Sequence, residues 1–132
     1  MAAQLAFIGL VVEDIPRSLA FYRHVGLDIP ESADEAPHVD LDLPGGLQLV
    51  WDSVDTIRSF DPDWSPPSGG HRIALAFSCP DPAGVDQLYA KLGELGYQQH
   101  KEPWDAFWGQ RYAIVVDPDG NHVELKAPLP AS

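Results

Sequence analysis

The sequence has little of several things, and each shortage excludes a class of function. It has a single cysteine, Cys79. An intrachain disulfide is therefore impossible, and so is a zinc knuckle built on several thiolates. Cys79 stands in the apolar run IALAFSC and is expected to be a buried small hydrophobe. Basic residues are also scarce: 8 Lys and Arg face 20 Asp and Glu, for a net charge of −12. Nucleic acids and anionic membrane surfaces need basic patches, so neither is an expected partner. By the same balance, a small ligand is expected to be neutral or cationic. The opening MAAQLAFIGLVVEDIP has no basic segment, and its apolar run is too short to span a bilayer. The expected location is the cytoplasm. No serine has a G-x-S-x-G setting, PSGGHR has no P-loop lysine, and the acids of DPDG do not have EF-hand spacing.

The residues present fall into two halves with one pattern. LAFIGLVV, Leu5 to Val12, is β-rich. A helix follows, with Asp14 as cap, Pro16 in the first turn, Leu19, Phe21, Tyr22 and Val25 as its apolar stripe, and Gly26 as its stop. HVDLDL and LQLVWD flank a Pro-Gly-Gly turn as a hairpin. The second half begins with a strand over His71–Cys79. Its helix has Asp81 as cap and Val85, Leu88, Leu92 and Leu95 as the stripe, and it ends at Gly96. Three strands follow: YQQHKE, QRYAIVV and HVELKA, the last two joined by the turn DPDGN. The expectation is an α+β fold of two β-α-β-β-β modules, about 4–53 and 71–128, joined by a loop over 54–70.

Strand alternation assigns the faces. Val39, Leu41, Ile73, Leu75, Phe77, Val123 and Leu125 should pack under the helices, with Trp51 beside them. His38, Asp40, Asp42, Arg72, Ala74, Ala76, His122, Glu124 and Lys126 should face the other way.

The runs VVEDIPRSLAFYRHVGL and YAIVVDPDGNHVEL, on a paired-module frame that covers nearly the whole chain, resemble the vicinal oxygen chelate superfamily of glyoxalase I, extradiol dioxygenases and bleomycin-resistance proteins. The resemblance implies curled mixed sheets around a concave cavity, and a homodimer whose modules can be swapped. It also implies that metal-dependent members hold a divalent ion at the positions of Phe7, Val50, Ala74 and Glu124. Here only Glu124 has a ligating side chain. One carboxylate does not hold a catalytic metal, so neither a metal nor any other cofactor is expected.

In place of a metal, PWDAFWGQRY crowds Trp104, Phe107 and Trp108 beside Arg111, on the connection entering the penultimate strand. The central loop adds Phe60 and Trp64. Flat side chains bind flat ligands by offset stacking. In the antibiotic-resistance branch of the superfamily, the resemblance implies trapping of a planar drug (a mitomycin-like quinone or a quinoline or quinoxaline type) without chemistry. Phe7, His38, Phe60, Trp64, Trp104, Phe107, Trp108, Arg111 and Glu124 are the expected contacts. The alternative is a lyase, isomerase or dioxygenase, with a rebuilt metal site or with His38 and Glu124 as acid and base.

Overall fold

The computed structural model describes residues 2–70 and 72–131. The chain forms two compact units, 1–68 and 69–132, so the central loop belongs to the first.

In unit 1, β1 (Phe7–Val12) lies parallel to β3 (Gln48–Ser53), and β2 (His38–Asp42) pairs antiparallel on the other side of β3. Helix α1 (Ile15–Val25) starts where expected. The Asp14 carboxylate accepts from the Arg17 N–H, and Gly26 stops the helix at φ +130°, a conformation other residues rarely adopt. Leu19, Phe21, Tyr22 and Val25 are buried. Trp51 is fully buried on the helix side of the sheet, its ring edge-on to Tyr22 with centroids 5.6 Å apart.

Two features of unit 1 differ from the sequence reading. Among its described residues it has three strands rather than four: between α1 and β2 the chain makes a 3-10 turn, Glu31–Glu35. This stretch, LDIPESADEAP, carries two prolines and no alternation, so it does not extend as a ladder strand. Arg23 holds it instead, donating to the Ile29 and Pro30 carbonyls and pairing with Asp34 at 2.9 Å. The loop after β3 also begins with a short helix, α2 (Val54–Arg58). Its cap is Ser53, whose hydroxyl accepts from the Thr56 N–H.

Unit 2 is a four-stranded sheet in the order β4-β7-β6-β5, from β4 (Ala74–Ser78), β5 (Gln99–Ala106), β6 (Gln110–Val116) and β7 (His122–Pro128). Helix α3 (Pro82–Glu94) packs against β5, β6 and β7. Asp81 caps it by accepting from the Gly84 N–H at 2.7 Å. Val85 and Leu92 are buried against Ala113, Val115, Val123 and Leu125. β4 is shorter than expected, which leaves Ile73 outside it and exposed, not under the helix. Leu95 lies past the helix end and is half-exposed. His71 lies outside the described residues. Cys79 is only partly buried, because it follows the last paired residue of β4. No helix among the described residues is long and apolar enough to cross a membrane.

Candidate functional site

Directly paired residues share a sheet face, so register sorts the side chains. In unit 1, Ile8, Leu10, Leu49, Trp51, Val39 and Leu41 make up the helix side. The opposite, open face carries Phe7, Gly9 and Val11 from β1, Gln48, Val50 and Asp52 from β3, and His38, Asp40 and Asp42 from β2. His38 stands directly across from Asp52. Its Nδ1 lies 2.5 Å from the Asp52 carboxylate, and its Nε2 lies 3.4 Å from Asp40. The hydrogen bond to Asp52 raises the His38 pKa above the ordinary 6.5, further helped by the charges of both carboxylates. The ring itself is about half exposed. Phe7 is half-exposed on the same face, while Val50 is buried.

In unit 2 the open face carries Ala74, Ala76 and Ser78 from β4, His122, Glu124 and Lys126 from β7, and Tyr112, Ile114 and Val116 from β6. Lys101 and Trp104 extend it on β5. Trp104 therefore lies within β5, paired with Tyr112, and not on a connection as the sequence suggested. A three-residue turn, Phe107 to Gly109, closes the β5–β6 hairpin. It requires φ +86° at Gly109, whose N–H returns to the Ala106 carbonyl.

Four rings meet at this hairpin. Trp108 packs edge-to-face on Phe107, Tyr112 and Trp104, with centroids 4.9, 5.2 and 6.2 Å apart, and Trp104 meets Tyr112 at 5.5 Å. Phe107 is 96% exposed and Trp108 48%, so the cluster is accessible. The Lys101 ammonium sits 4.1 Å from the centroid of Trp104. The Tyr112 hydroxyl donates to Glu124 at 2.5 Å. Partial burial, then the hydrogen bond and charge of Glu124, push the Tyr112 pKa up to about 12.

Of the residues expected from sequence, the hairpin brings Trp104, Phe107 and Trp108 together, and Tyr112, absent from that expectation, joins the rings to Glu124. The signal was available, since Tyr112 alternates with Ala113 on a strand whose core side was legible. Arg111 is not with them. It points to the α3 side, where it pairs with Asp86 and Asp105 at 3.0 Å each, and those hydrogen bonds raise its pKa further. Strand alternation separates it from Glu124, and Tyr112 takes the expected place beside that carboxylate. Phe60 and Trp64 lie in unit 1. Phe60 is exposed, and Trp64 is partly covered by the Arg58 guanidinium 5.8 Å from its ring.

The family model for the glyoxalase/bleomycin resistance protein/dioxygenase superfamily matches residues 4–125. The chain belongs to this superfamily. Its fold is that of a glyoxalase/bleomycin resistance protein/dioxygenase family enzyme from Burkholderia phytofirmans PsJN, with TM-score 0.81 and 23% identity over 96% of this chain and 100% of that one. An Agrobacterium tumefaciens protein solved by NMR is 26% identical over 99% of this chain and 100% of that one, with TM-score 0.67. A lactoylglutathione lyase from the same organism is 21% identical over 96% of this chain and 95% of that one, with TM-score 0.62. Among curated protein sequences none matches.

Metal-dependent members would hold a divalent ion at the positions of Phe7, Val50, Ala74 and Glu124, and the chemistry of those side chains tests the fit. Phe7, Val50 and Ala74 offer hydrocarbon, and Glu124 already accepts a hydrogen bond from Tyr112. Among the described residues, no three His, Cys, Asp or Glu side chains are grouped to hold a metal. These positions do not fit the ion.

Proposed function

We propose that the protein binds a planar aromatic drug and withholds it without chemical change, the ligand being a mitomycin-like quinone or a quinoline or quinoxaline type. The observation that supports this is the accessible cluster of Trp104, Phe107, Trp108 and Tyr112 on one hairpin. Each stacked ring adds about 0.5–1.5 kcal/mol beyond area burial. Two or three such contacts with desolvation bring a drug-sized ligand to about micromolar affinity. The reading includes a homodimer, for which the exposed Leu5 and Ile73 offer apolar surface.

The test is tryptophan quenching in chelator-treated protein titrated with a panel of planar compounds. Saturable quenching at a fixed ratio is expected, with Trp108→Ala weakening it about tenfold. Unchanged affinity in that variant overturns the reading.

One observation favours a second reading, an enzyme. Asp52 orients His38, the arrangement that suits a group moving protons near neutral pH. Turnover of an oxygenated substrate, abolished by His38→Ala and untouched by Trp108→Ala, would establish it.

A further inference from the structure

The molecule is strongly acidic, yet the ring-bearing face is not. Two of its three lysines, Lys101 and Lys126, lie on the open face of unit 2. Lys126 sits in one cross-strand row with Tyr112 and Trp104, and Lys101 in the next row with Ile114 and Glu124. His100 and His122 add two imidazoles, with ring centroids 4.5 Å apart.

The acids of the same strands are turned away. Asp105 points to the α3 side, bound to Arg111. Tyr89 of α3 has its phenol pKa raised by burial first and then by the charge of Glu102, which stands near that helix. Among the described residues of β4 to β7, Glu124 is the one carboxylate on the open face, and the Tyr112 hydroxyl is hydrogen-bonded to it. The hairpin therefore sorts its charges, with bases beside the rings and acids behind them. Net charge alone points to a neutral or cationic ligand; the charges beside the rings point the other way.

We infer that the ligand of the aromatic site is a planar ring system bearing an acidic oxygen, such as a carboxylate, phenolate or enolate. The ring lies against Trp104 and Trp108, and Lys101 and Lys126 pair with the oxygen. This rests on the stacking role proposed above for the same rings. Lys101 is the specificity-determining residue, because its ammonium already stands at the Trp104 ring, where a stacked ligand's substituents project. Lys126 is the supporting charge one strand beyond Tyr112. An exposed ammonium–carboxylate pair beside a ring is a modest effect that salt screens, so the preference should be largest at low ionic strength.

The test uses three probes of one shape: quinaldate, its neutral amide quinaldamide, and the cation N-methylquinolinium. Each is titrated by tryptophan quenching into the full-length protein at low and high salt. Quinaldate is expected to bind about three- to tenfold tighter than quinaldamide at low salt, with the gap closing as salt rises. Lys101→Met should remove most of the gap, Lys126→Met part of it, and Lys101→Arg should retain it. Neither methionine variant should alter quinaldamide binding, which serves as the control for folding and stacking. If quinaldamide or N-methylquinolinium binds as tightly as quinaldate, the acidic-oxygen inference is overturned while stacking stands. If Trp108→Ala leaves every affinity unchanged, or no probe binds, stacking fails and the inference falls with it.

Discussion

His38 and Tyr112 each hold a proton more tightly in the folded chain than outside it, and each offers a titration to measure. The His38 pKa is raised by Asp52, so the folded state keeps that proton above pH 6.5 and unfolding releases it. The stability the pair contributes is complete below 6.5 and is lost as pH rises through the folded value. The effect is small because the ring is half-exposed. NMR titration should show the shifted imidazole, and Asp52→Asn should move it down toward 6.5. Tyr112 works in the same sense at alkaline pH: its contribution is present below 10 and lost through about 12. Phenolate absorbance should lose a late-titrating component in Tyr112→Phe, and Glu124→Gln should bring that component to lower pH. Neither partnership was legible in the sequence. Asp52 lies 14 residues from His38 and Glu124 lies 12 from Tyr112, and only strand register brings them together. The side of the sheet was legible for His38 and Glu124, because alternation with Val39 and Val123 is strict. For Arg111 the side differs from expectation, because alternation along QRYAIVV turns it toward Asp105 and Asp86 rather than toward Glu124.

At the scale of elements, local chemistry spoke most clearly at the helices. Asp14 and Asp81 occupy equivalent cap positions, each accepting from the N–H three residues on, and each is followed within two residues by a proline in the first turn. Asp14→Ala and Asp81→Ala should each cost about 1 kcal/mol, read as a shift in urea midpoint without a change in slope. The hairpin turn is as demanding, since Gly109 adopts φ +86°. Gly109→Ala should lose about 1 kcal/mol and disturb the packing of Trp108. Strand number was harder to read. The proline-rich stretch after α1 follows the pattern of its counterpart in position but not in composition, and a 3-10 turn tied to Arg23 replaces the strand. The aromatic run was found by composition alone, yet its placement on β5 required the bulged register that lets Lys101 and Trp104 share a face.

At the scale of the whole molecule, each unit has its own core, centred on Trp51 in one and on Val115, Val123 and Leu125 in the other. Trp51→Ala should cost about 3–5 kcal/mol, a large share of a typical domain's stability, and calorimetry would read it directly. The proposed dimer should sediment at twice the monomer mass, and Leu5→Glu with Ile73→Glu should return it to the monomer. One consequence follows from the strand that unit 1 does without. β2 stands at the margin of its sheet. It alternates Val39 and Leu41 with His38, Asp40 and Asp42. A margin of that kind invites another chain to extend the ladder, and carboxylates along it are the usual deterrent. Asp40 and Asp42 put such charges on this edge. A variant with threonine at both positions would gain strand propensity and lose that repulsion, turning a quiet edge into a template for growth.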